Sequence, residues 1–140
     1  MASKCERILA AAHAALDGPG KPDGCDVYRN RVWPTEQGVT INVRAVRDEP
    51  MRESFPAGLV RRLTFALDIR AVGDVPETRL DDPWVWSVQT LTSDATLQGL
   101  VRDLTEAPRD WDAEAYDQNL GGLTCGWTAE YETDETDPTT

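Results

Sequence analysis

One histidine and three cysteines are all that this 140-residue chain offers for nucleophilic or soft-metal chemistry. A nucleophile needs a base beside it, and a structural zinc needs four nitrogen or sulfur ligands brought together. His13 stands in an alanine-rich run of helical spacing, while Cys5, Cys25 and Cys125 are scattered in dissimilar contexts. Neither a catalytic triad nor a zinc site is expected from them, and an odd number of cysteines makes no disulfide framework. Paired carboxylates are the remaining option: Asp81/Asp82, Asp110/Asp112 and Glu130/Glu132 could hold a hard cation or exchange protons. Asp82, however, precedes Pro83 as a helix N-cap would, and the other pairs fall on strand or loop surface. The chain has no Gly-x-Gly-x-x-Gly and no P-loop, and Gly121-Gly122 reads as a turn. No enzymatic activity, cofactor or metal is expected.

The elements that carry these groups have a clearer pattern than the groups themselves. Between Val60 and Val72, Leu63, Phe65, Leu67, Ile69 and Ala71 alternate with Arg62, Thr64, Asp68 and Arg70. Successive strand side chains point to opposite faces, so this is a central strand with one face on the core. A slip of one residue would put every apolar side chain in water. Val39, Ile41, Val43 and Ala45 alternate in the same way, as do Leu123, Cys125, Trp127, Ala129 and Tyr131. A shorter strand from Asp26 to Trp33 ends at Pro34 and belongs at a sheet edge. The link from Arg47 to Leu59 exceeds the usual hairpin loop of about two to five residues and is predicted to be a projecting charged loop.

Ser3 and Glu6 form a capping-box pattern ahead of Cys5, Ile8/Leu9, Ala12 and Ala15/Leu16, a helix that Asp17-Gly18-Pro19-Gly20 stops. A second helix is expected from Asp82 as N-cap, with Trp84, Val88 and Leu91 on one face, ending near Ser93-Asp94. Trp84 and Trp86 are read as core and edge packing. A strand is expected from Leu100 to Thr105, and Pro108 sets apart a charged segment from Ala107 to Asp117. The fold class is therefore α/β (α+β): a mainly antiparallel mixed β-sheet with about two helices packed on one face. Residues 1–132 form a single domain and 133–140 an acidic tail without fixed structure.

Charge limits the partners. Fourteen basic residues stand against 25 acidic ones, for a net charge of −11. A protein that grips nucleic acid needs cationic surface to displace counterions, so specific DNA binding is not expected. No apolar run approaches the ~20 residues of a membrane span, and no signal peptide is apparent, so a soluble protein made in a cytosol is expected.

Taken in order, the capped helix, the Val27–Trp33 strand, the strand pair Val39–Val46 and Arg62–Val72 flanking a charged loop, and the Asp-Asp-Pro-Trp helix precede Ala95-Thr-Leu-Gln-Gly-Leu100. The chain closes on Leu123-Thr-Cys-Gly-Trp127-Thr-Ala-Glu-Tyr131-Glu-Thr. This succession resembles the lambda-type tail terminator family (minor tail proteins) of long-tailed bacteriophages. The resemblance implies a structural virion protein at the head-proximal end of the tail, assembled in the host cytoplasm. It would form a hexameric ring on the last ring of the tail tube protein, stop tube growth and present a surface to the head-tail connector protein. DNA would pass through the lumen without specific binding. Candidate contacts to the tube or to a neighbouring subunit are Arg47, Asp48, Glu49, Met51, Arg52, Glu53 and Phe55. The rival readings are a neck or head-closure adaptor of the same virion, and an acidic inhibitor or immunity-type binding protein.

Overall fold

The computed structural model describes residues 1–29, 38–55, 58–73, 76–112 and 120–140. It shows the α+β class expected. Helix α1 (Lys4–Leu16) is followed by strands β1 (Cys25–Arg29), β2 (Val39–Phe55) and β3 (Gly58–Val72). Helices α2 (Pro76–Arg79) and α3 (Asp81–Ser93) then lead to β4 (Asp103–Asp112) and β5 (Leu120–Thr133). The sheet order is β1-β2-β3-β5-β4, with β1 parallel to β2 and every other pairing antiparallel.

β3 holds the centre because it is paired along its length on both sides, with β2 from Phe55↔Gly58 to Val39↔Ala71 and with β5 from Leu59↔Thr133 to Val72↔Leu120. Its odd-numbered residues Leu63, Phe65, Leu67, Ile69 and Ala71 have no exposed surface, and Trp127, Ala129 and Tyr131 of β5 have 1% or less. Burying a large side chain of this kind stabilises the fold by about 1.5–3 kcal/mol. Ile8, Leu9, Ala12 and Leu16 of α1 and Leu91 of α3 cover the same face, so both long helices belong to one core.

The cap of α1 is as expected: Ser3 Oγ accepts from Glu6 N–H at 3.1 Å, a contact of about 1 kcal/mol. The Glu6 carboxylate goes to Arg29, which donates from both terminal nitrogens (2.5 and 3.0 Å) and fastens α1 to β1. His13 Nε2–H donates to Val27 O at 3.1 Å beside it, so the lone histidine is a second tie between the same elements.

The start of α3 departs from expectation. Asp82 is not its N-cap: the cap is Leu80, in right-handed helical backbone and without a side-chain cap bond, and Asp81 and Asp82 lie exposed in the first turn. The reason is that α2 runs directly into α3, so no residue adopts the extended backbone that lets a carboxylate cap. Pro83 is tolerated because the first-turn N–H groups lack intrahelical acceptors in any case. Past α3, Asp94 organises the turn, accepting from Thr96 N–H (3.2 Å), Thr96 Oγ1 (2.8 Å) and Gln98 N–H (2.8 Å), while Leu97 and Gln98 take positive φ of 45° and 61°.

Three further expectations are corrected. The strand expected from Leu100 to Thr105 is β4, which begins at Asp103 and continues through Pro108 to Asp112. A register shift between Glu106 and Arg109 absorbs the proline, as bulged edge strands do. The predicted loop from Arg47 to Leu59 is strand up to Phe55 and again from Gly58. β1 occupies the predicted edge position as far as Arg29, and the expectation for Trp33 and Pro34 lies outside the described residues. The acidic segment expected to lack structure folds against α1: Lys4 N–H donates to Pro138 O at 2.8 Å, and Arg7 donates to Thr139 O.

Candidate assembly interface

β1 pairs with β2 only from Val39 to Val43, so from Arg44 onward β2 has no outer neighbour among the described residues. The predicted contact residues lie on this rim, in register Arg47↔Thr64, Asp48↔Leu63, Glu49↔Arg62 and Phe55↔Gly58. Register shifts between Ala45 and Arg47 and between Pro50 and Ser54 interrupt the ladder, and Pro50 withholds a donor. Bulges, proline and charge are how native sheets blunt an edge.

The side chains of the rim have separate tasks. Tyr131 Oη lies 2.8 and 2.7 Å from the two carboxylate oxygens of Asp48 and donates to that carboxylate, pinning the outer half of β2 across β3 to β5. Burial, and then the Asp48 carboxylate, push the Tyr131 phenol well above its ordinary range, so it stays a donor. Arg47 and Glu49 form an exposed ion pair at 3.3 Å, a contact worth about 0–1 kcal/mol. Glu49, Pro50 and Met51 line an open cavity of about 570 Å³ with Val60, Arg62, Arg102 and Glu130. The backbone of Arg52, Glu53 and Phe55 is strand, and their side chains lie outside the described residues.

The sheet face away from the helices carries several ion pairs. Arg44 donates to both carboxylate oxygens of Asp68 (2.8 and 3.2 Å), and Thr124 donates to the same carboxylate. Arg62 meets Glu130 at 3.2 Å and Arg102 meets Glu132 at 3.6 Å. The pair Glu130/Glu132 is thereby engaged by guanidiniums. Asp26, Asp103 and Asp110 are exposed on the same face, in register with Thr40, Glu130 and Thr124, and further exposed acidic groups such as Asp17, Asp23, Asp81, Asp82 and Asp94 lie elsewhere.

The opposite rim, β4, was missed by the sequence reading as a contact candidate. The Arg109 guanidinium lies 3.6 Å from the Trp84 ring centre and 4.7 Å from that of Trp111. Among the described residues no carboxylate lies within ion-pair distance of it. Trp111 is 47% exposed and, with Arg109, Thr78 and Asp81, rims an open cavity of about 370 Å³ that reaches Leu80 and Leu123. The available signal was Arg109-Asp-Trp111, an arginine directly after Pro108 followed by an aromatic between two acids.

Two of the three thiols are buried. Burial pushes the Cys25 thiol up to about 11 and the Cys125 thiol up to about 12, so neither supplies a thiolate near neutrality. Among the described residues no three of His, Cys, Asp or Glu are grouped to hold a metal, and no helix is long and apolar enough to cross a membrane.

No protein-family model and no curated protein matches the chain. Among solved structures it is similar to a chain described as "Virion of native gene transfer agent (GTA) particle", with a TM-score of 0.53 and 13% sequence identity, covering 92% of this chain and 92% of that chain. At that identity the likeness is one of fold, and this α+β arrangement is therefore also carried, nearly end to end, by a chain of a gene transfer agent particle.

Proposed function

We propose that the chain is a structural protein of a phage-type virion and, within it, the tail terminator: a ring, hexameric by the family resemblance, that caps the tail tube and meets the head connector. The observation that carries this reading is the fold likeness to a virion chain over 92% of both chains. It agrees with the order of elements from which the terminator resemblance was drawn. The two rims of the sheet add physical support. A ring needs two different patches per subunit, and the rim of β2 from Arg44 and the rim of β4 are two such patches.

In this reading the rim residues Arg47, Glu49 and Met51, with Arg52, Glu53 and Phe55, meet a neighbouring subunit or the tube, while Asp48 holds their strand in place through Tyr131. The outer face suits DNA that slides past, because each guanidinium already bound to a carboxylate has less to offer a phosphate and the exposed carboxylates beside it repel one. No reaction is assigned to the protein.

Removing the gene tests the reading. Overlong tails without heads are expected, whereas tails of normal length that fail to join heads would make the protein a neck adaptor. Normal infectious particles, together with a protein that remains monomeric, would remove the virion reading and favour an inhibitor-type binder.

A further inference from the structure

Apart from Met1, only Val46 and Trp111 are large apolar side chains with substantial exposure among the described residues, at 53% and 47%. They stand on opposite rims of the sheet. Val46 is the extra residue of the bulge between Ala45 and Arg47, just where β2 loses its outer neighbour among the described residues, and bulges commonly re-aim a side chain. Trp111 is on β4, three strand spacings away, or about 14 Å.

Their surroundings are complementary. Trp111 rims a cavity that reaches Leu80 and Leu123, with a guanidinium held between two indoles and bound to no described carboxylate. Val46 is an apolar knob followed by Glu49, whose exposed pairing with Arg47 is cheap to exchange. Patches on opposite rims face away from each other, so one partner cannot engage both as a two-fold contact would require. Repeated head to tail, such patches build a ring when the rotation closes. The patches are also offset along the strands, since Val46 is level with Phe65 and Trp111 with Ile69. Such a stagger is what tilted sheets require when they close on themselves.

We propose that these rims are the two halves of the subunit contact: Val46 of one copy enters the cavity beside Trp111 of the next, and Glu49 of the first pairs with Arg109 of the second. This rests on the ring reading above and names the contact that would close it. Tryptophan and arginine are the residue types that most often dominate an interface.

Charge exchange and cross-linking test it on the full chain. Arg109→Glu should weaken self-association by roughly tenfold or more in sedimentation, and adding Glu49→Arg should recover most of the loss. Recovery would also show that the Arg109 variant folds. The double variant Val46→Cys, Trp111→Cys, once oxidised, should give a ladder of linked multimers on non-reducing gels, whereas each single variant stops at dimers. Rings that form without the ladder and without charge rescue would overturn this contact and leave the ring reading standing. A wild-type chain that is monomeric at every concentration and salt would overturn both.

Discussion

The two halves of β2 are one strand with opposite constraints. From Val39 to Val43 it is flanked by β1 and β3, and Val39, Ile41 and Val43 are 8% exposed or less. From Arg44 onward it has one neighbour among the described residues, two register shifts and a proline, and Ala45 to Asp48 are all exposed. The inner half is specified by burial, which leaves a period of two in the sequence. The outer half is specified by its partner strand and by Tyr131, neither of which leaves a local trace. A strand can therefore be as well paired as its neighbour while looking like a charged loop.

Breaking the inner half should have the largest effect. Ile69 is fully buried and pairs with Ile41 and Leu123, so Ile69→Ala should cost about 2–5 kcal/mol and lower the denaturant midpoint accordingly. Alkali probes the same core more gradually. Cys25 and Cys125 are neutral in the fold with raised values of about 11 and 12, and their ordinary value is 9.0. Above pH 9 the unfolded chain ionises first and releases protons that the folded chain keeps, so stability should be level through neutrality and fall steadily between pH 9 and 12. Replacing Cys125 by alanine should flatten that decline even though it weakens the core, a combination that thermal melts at pH 7 and pH 10.5 can separate.

What was legible follows the same division. The three alternating strands, the Ser3 cap and the end of α3 could be read because each rests on neighbouring residues: a period, a capping pair, a stop signal. The start of α3 could not, because Asp82-Pro83 is a sound local start that the preceding α2 overrides. β4 was split at Pro108 because a bulge that accommodates proline on an edge depends on β5, not on β4's own residues. Of the proposed contact residues, the segment Arg47 to Phe55 was singled out for its charge density, but the bond that holds Asp48 depends on Tyr131, 83 positions away. Arg109 and Trp111 were passed over because an arginine stacked on Trp84 needs α3 and β4 side by side.

Tyr131→Phe sharpens the comparison by loosening only the outer half. The ring would remain buried, and the hydrogen bond to Asp48 would be lost, at about 1–2 kcal/mol because the freed carboxylate regains water. Amide exchange should quicken at Asp48 and Glu49 and stay slow at Ile41 and Val43. Uniform quickening of both segments would mean that β2 opens as one unit and that the two halves are not independently held.

The smallest effect on stability and the most specific effect on assembly are expected from Pro50→Thr. Pro50 pairs with Arg61 on the rim, where the strand has no outer neighbour among the described residues. A threonine fits extended backbone and adds an N–H, so the melting transition should shift by no more than about 0.5 kcal/mol. The rim would lose part of its protection against strand addition, and association should spread from discrete rings to larger, open assemblies as concentration rises. Light scattering across a dilution series reads this directly. An unchanged size distribution would mean that the bulges at Val46 and beyond Pro50 are enough to keep the edge closed, and that the proline is there for the shape of the strand alone.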